Sequence, residues 1–229
     1  MTSWPHLLTD ADKVIKCPKH LMTEKQWRPC DDQIWGRIKG EYGPYNIFIN
    51  IPYLDEYADL QAAIIATVLK VGMIPQMASL RSEGQAVRLC KICEMMQTSK
   101  YCITDVSYDS SHNIPFELGF FLALGRQGHS LILVDEKTLP SNLRKFDSRM
   151  SNLKGLDVIS YNSKREVLVG RLIDRMKSDV PEAVIKVARA RLINDILRTA
   201  KKVKAVTKTG ALPEFIESYR DAWRSSDLS

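Results

Sequence analysis

No run of apolar residues in this 229-residue chain approaches the roughly 18–20 that a bilayer-spanning helix requires. The amino terminus, Met1-Thr-Ser-Trp-Pro, lacks a basic stretch followed by an apolar core, so no secretory leader is expected. A disulfide framework is missing as well. The five cysteines (Cys17, Cys30, Cys90, Cys93 and Cys102) are odd in number and irregularly spaced, and without an export signal they read as reduced thiols. These absences predict a cytoplasmic protein with no membrane partner.

Two further absences narrow the chemistry. No Gly-x-Gly-x-x-Gly or P-loop pattern is present, which removes the glycine-built phosphate cradles. Metal-ligand sets are incomplete: Cys17-x-x-His20 with Cys30 offers three ligands where zinc wants four, and only His6 or Asp31 would complete the set. Cys90-x-x-Cys93 falls in the middle of an amphipathic stretch, where small core residues are expected, not a redox pair. Neither metal nor cofactor is expected.

What the chain does contain is an alternation of strand and helix patterns. Residues 1–44, with Trp4, Trp27, Trp35 and several prolines, read as an irregular amino-terminal arm. From Tyr45 a β-rich run reaches Ile51 and stops at Pro52. Asp55 to Val71 carries apolar residues at helical spacing and is ended by Gly72. Met73–Ala78, Tyr101–Asp105, Ser130–Asp135 and Leu156–Tyr161 read as further strands. Gln85–Thr98, Ile114–Arg126 and Arg165–Lys177 read as the helices between and after them.

Strands alternating with helices at this spacing predict an α/β, doubly wound, mostly parallel five-stranded sheet over residues 45–180. Residues 181–229 read as a carboxy-terminal helical appendage, with helices at Pro181–Lys204 and Leu212–Arg224 joined around Thr209-Gly210.

The net charge is +6, and its excess is local. Lys186 to Lys208 holds eight Lys or Arg and one acidic residue, Asp195, so the remainder is close to neutral. The segment also carries apolar positions at helical spacing (Val184, Val187, Ala188, Leu192, Ile196, Val203). An amphipathic helix packed on the domain or on a second subunit accounts for both features. A phosphate-binding face for nucleic acid is the lesser alternative.

The chemistry concentrates where Tyr101-Cys-Ile-Thr-Asp105-Val-Ser107 is followed, after a polar loop, by Asn113-Ile-Pro-Phe-Glu117-Leu-Gly119. Ligands of open α/β sheets bind at the carboxyl ends of strands and the amino ends of helices. With Asn113 as N-cap and Pro115 in the first turn, Glu117 is expected at the end of that turn, where the helix end favours an ionised carboxylate. That suits a nucleophile or an electrostatic stabiliser of an oxocarbenium-like sugar carbon. Helix stability alone also favours such a residue there.

Asp105 would orient a sugar hydroxyl or a base, or else cap the following loop. Asn50 and Tyr53 end the first strand and would line the crevice. Ser107 and Asn113 would border it. Gly84-Gln85 with Arg88 one turn on would hold a phosphate, unless Arg88 merely pairs with Glu83 or Glu94. Phe116, Phe120 and Phe121 are expected mostly in the core.

The stretch from Asn46 to about Tyr161 resembles a bacterial group related to nucleoside 2-deoxyribosyltransferases and to TIR-like domains. The residues that carry the resemblance are Ile47-Phe-Ile-Asn-Ile-Pro-Tyr53 with Glu56-Tyr57, Gly84-Gln-Ala-Val-Arg88-Leu-Cys-Lys-Ile92, Tyr101–Ser107 and Asn113–Gly119, with a weaker echo in Ser151–Asp157. The resemblance implies a flavodoxin-like fold and a nucleophilic Glu117 that cleaves the glycosidic bond of a nucleoside, nucleotide or NAD. Deoxyribosyltransferases commonly carry a second acidic residue a few positions before that glutamate; here the nearest is Asp109, at a different spacing. The alternative is a binding module that recognises a nucleotide-like signal without turnover, with the carboxy-terminal helices as a candidate homo-oligomer contact.

Overall fold

The computed structural model describes residues 43–78, 92–93, 95–96, 98–107, 113–123, 129–137 and 158–226. The amino-terminal arm, with Cys17, His20 and Cys30, and the segment holding Gly84, Arg88 and Cys90 lie outside the described residues, as does Asp109.

Five strands form one sheet: β1 (Gly43–Asn50), β2 (Ile74–Gln76), β3 (Ser99–Asp105), β4 (Ser130–Val134) and β5 (Val158–Ser160). Every pairing is parallel, and the order is β2-β1-β3-β4-β5. This is the doubly wound arrangement expected from the alternation. Its strand order reverses between β1 and β3, so the crevice of such a sheet opens there.

The helices are α1 (Ala58–Lys70), α2 (Asn113–Ala123), α3 (Arg165–Met176), a one-turn α4 (Glu182–Ile185), α5 (Arg189–Lys208) and α6 (Leu212–Ser226). Residues 92, 93, 95, 96 and 98 are also helical. Glycine stops two of these helices by the same device. Gly72 (φ 80°) and Gly210 (φ 77°) take the left-handed conformation just past α1 and α5. Met73 N–H then bonds Val68 O at 3.0 Å and Gly72 N–H bonds Leu69 O at 3.2 Å. Ala211 N–H to Val206 O and Gly210 N–H to Thr207 O repeat the pattern, closing carbonyls that would otherwise lack donors.

Side-chain alternation divides the sheet into two faces. Ile47, Ile49, Tyr101, Ile103, Leu131, Leu133 and Ile159 pack with α1, α3 and α5 in the main core. Phe48 and Cys102 face the other way, toward Met95, Met96 and Phe121, and Ile132 meets Leu118 of α2 there.

Residues 62–69 of α1 are buried without interruption, because the sheet covers one side and α5 the other. α5 contributes Leu192, Ile196, Ala200 and Val203 to the same core as the strands. Its apolar stripe is therefore filled within the chain, and its exposed cations form the solvated face. The single helix expected over 181–204 is interrupted: Ala188 is extended (ψ 127°), and α5 starts afresh at Arg189 and runs on to Lys208. Val184 and Val187 pack against the core across this break, which propensity alone does not reveal. No helix among the described residues is long and apolar enough to cross a membrane.

Candidate functional site

An open crevice of about 180 Å³ lies at the carboxyl end of β1. Asn50, Ile51, Pro52, Tyr53 and Leu54 form one wall, Asn113, Ile114 and Glu117 of α2 form the other, and Ala78 borders it. Four of the expected site residues, Asn50, Tyr53, Asn113 and Glu117, thus meet at the switch point of the sheet.

A buried hydrogen bond joins β1 to α2. Asn50, 5% exposed, donates from Nδ2 to the Ile114 carbonyl at 3.0 Å. The last residue of a central strand thereby holds the first turn of the helix that carries Glu117. Ile114, Leu118 and Phe121 form the buried side of that helix. Glu117 projects half-buried between them and the crevice.

Among the described residues α2 runs from Asn113, which makes Glu117 the fifth residue of that span. The carboxylate lies at the start of the second turn, not within the first as expected, so the positive helix end acts on it more weakly. Of the three phenylalanines, Phe121 is fully buried, Phe120 packs partly on the same cluster, and Phe116 is 63% exposed.

On the sheet below, Cys102 Sγ lies 3.2 Å from Thr104 Oγ1. Burial pushes the Cys102 thiol up to about 12, and the nearby Glu117 carboxylate adds to the rise. Cys102 is therefore neutral and inert at ordinary pH, and it shares a side of the sheet with Glu117. Thr104, opposite Asn50 in the β1–β3 register, is fully buried on that side too.

Asp105 does not line the crevice. It sits on the other face, fully buried, where four donors take up its carboxylate. Oδ2 accepts the hydroxyls of Tyr57 and of Tyr161, the latter at 2.8 Å. Oδ1 accepts the backbone N–H of Ser107 at 2.8 Å and the Ser107 hydroxyl. Ser107 Oγ in turn accepts the Asp135 N–H at 2.6 Å, and Asp135 Oδ2 accepts the Ser163 hydroxyl at 2.5 Å. Ser107, like Asp105, is thus part of a network joining the ends of β3, β4 and β5.

Burial holds the Asp105 carboxyl above the usual range, opposed by the hydrogen bonds from Ser107 and Tyr57. Burial and the adjacent Asp105 likewise raise both Tyr57 and Tyr161, keeping their hydroxyls as donors. Sequence reading missed Tyr57, Tyr161 and Asp135. The available signal was that a buried carboxylate needs donors, and hydroxyl-bearing residues end the neighbouring elements.

Arg88, expected to hold a phosphate, lies outside the described residues. Among the described residues that line the crevice, Glu117 is the only carboxylate. No family model, curated protein or solved structure matches this chain, so the reading of the site rests on its own geometry.

Proposed function

We propose that the crevice takes the sugar end of a nucleoside, nucleotide or NAD, and that the protein is an N-glycosidase or glycosyl transferase with Glu117 as its nucleophile. The observation that carries this reading is the convergence of Glu117 with Asn50, Tyr53 and Asn113 at the β1/β3 switch point. In the proposed reaction the bond from the anomeric carbon to the base nitrogen breaks, and its electron pair leaves with the base. Glu117 stabilises or captures the electron-poor carbon. Water or a second base then displaces it.

The crevice is smaller than the roughly 300–1,000 Å³ of pockets that enclose a drug-sized ligand. It suits the reacting end of a substrate whose planar base lies over Tyr53, which is 49% exposed. A single carboxylate among the described lining residues favours a base bonded through a positively charged nitrogen, as in NAD. Such a base leaves neutral and needs no proton from a second acid.

The second reading is a module that binds a nucleotide-like signal in the same crevice without turnover; the absence of a second carboxylate among the described lining residues favours it. One experiment separates the two. The purified protein and Glu117→Gln are incubated with a panel of nucleosides, nucleotides and NAD, and released base is read by chromatography. Release by the wild type alone supports the enzyme. No release, with a ligand-induced rise in melting temperature in both proteins, supports the binding module.

A further inference from the structure

We infer that Asp105 is a positioning residue which, through Tyr57, holds the β1 wall of the crevice from the far side of the sheet. After Asn50 and Ile51 the chain leaves the sheet, and Tyr53 and Leu54 are exposed, at 49% and 38%. A short 3-10 turn at Asp55–Tyr57 follows, in which Tyr57 N–H bonds Leu54 O at 2.9 Å. The next fully buried side chain after Pro52 is Tyr57, 1% exposed. Its hydroxyl ends on Asp105 Oδ2.

Among the described residues, the exposed part of the wall is bounded by buried Asn50 and Ile51 on the strand side and by buried Tyr57 beyond the turn. Asp105 is bound by hydroxyl and amide donors from three places in the chain, so its oxygen is a fixed post. Its effect on a ligand would pass through Tyr57 and the backbone to Tyr53 and Leu54. It would not come from contact with the ligand.

The network supplies its own control. Tyr57 and Tyr161 are both buried tyrosines, and both donate to the same oxygen of Asp105. Tyr57 lines no part of the crevice itself, but its N–H is bonded to Leu54 of the wall; Tyr161 follows β5. A role confined to stability would make their phenylalanine variants equivalent. The inference takes from the proposed function only that this crevice is the site.

The test compares Tyr57→Phe with Tyr161→Phe by amide hydrogen exchange over residues 52–58, alongside melting temperature. Both variants should melt lower than wild type. The amides of Tyr57 and Ala58, held by Leu54 O and Asp55 O, should exchange about tenfold faster in Tyr57→Phe than in Tyr161→Phe. Equal exchange in the two variants would overturn the inference.

Should Tyr57→Phe fail to fold, Asp105→Asn is read against Ser107→Ala, which leaves the Oδ2 side intact; only the former should speed exchange in the wall. With NAD as probe, KM should rise about fivefold in Tyr57→Phe and stay within about twofold in Tyr161→Phe. An unchanged KM in both variants would count against the inference. If the wild type releases no base from NAD, that result bears on the proposed function alone, and hydrogen exchange still decides the role of Asp105.

Discussion

Asn50 and Asp105 end neighbouring parallel strands, yet their side chains emerge on opposite faces of the sheet. The register pairs Asn50 with Thr104, one residue short of Asp105, and a one-residue offset in a strand reverses the face. Asn50 therefore reaches α2 and the crevice, while Asp105 meets Tyr57 and Tyr161. Two polar residues expected to line one crevice thus lie on opposite sides of the sheet.

Glu117→Gln should reduce base release by at least about 10²-fold, the scale on which loss of one transition-state charge contact is felt. Because the side chain is only half-buried, stability should change by no more than about 0.5 kcal/mol. A chromatographic assay paired with a melting curve checks both halves. Retained release in a folded variant would remove Glu117 from the chemistry.

Asn50→Ala should cost about 1–2 kcal/mol, since it deletes a buried donor and leaves the Ile114 carbonyl without it. Asn50→Asp should be worse, because an ionised carboxylate would then face a carbonyl oxygen. Denaturant melts of the three proteins test the order. If the bond positions α2, exchange at the start of that helix should rise in both variants.

Asp105→Ala should destabilise by about 3 kcal/mol, as it strands several buried donors. Asp105→Asn should cost less, because its Oδ1 can still accept the Ser107 amide, although Nδ2 no longer accepts the tyrosine hydroxyls. The pH dependence follows from the raised folded-state value. The folded protein retains a proton that the unfolded chain has lost, so this contribution is complete below the unfolded value of about 3.9. It is lost as pH rises through the folded value. The melting-temperature advantage of wild type over Asp105→Asn should accordingly shrink as pH is raised from about 4.

Asp179 should behave oppositely. Burial works to raise it, but hydrogen bonds from Lys100, at 2.5 Å, and from Tyr101 outweigh that and leave it lowered. Its contribution is present above the unfolded value and is lost as pH falls through the folded one. Lys100→Met should therefore flatten the fall in melting temperature on acidification below about pH 4. An unchanged acid limb would show that the pair contributes nothing.

Ile196→Ala should cost about 2–5 kcal/mol, the range for truncating a fully buried aliphatic side chain. Breaking the exposed Lys204–Asp59 pair, which also joins α5 to α1, should cost about 0.5 kcal/mol or less. Urea melts of Ile196→Ala and Lys204→Met would establish that apolar burial, not charge, holds the carboxy-terminal helices on the domain.

From the sequence by itself came the elements, their alternation and their stops. Gly72 and Gly210 could be read as helix ends because only glycine takes the left-handed step without cost. Asn50 and Tyr53 at the end of a strand, and Asn113 and Glu117 at the start of a helix, were legible as one site because doubly wound sheets open their crevice there. The tertiary structure alone decided which face each strand residue serves. Residues 101–105 are buried at every position, so the apolar–polar alternation that would mark a face is silent in β3. Only its register with β1 sends Asp105 away from Glu117. The same limit applies to α5, whose apolar stripe is written in the sequence while its partner, α1, lies more than a hundred residues earlier in the chain. A stripe specifies that a surface must be covered; packing decides what covers it.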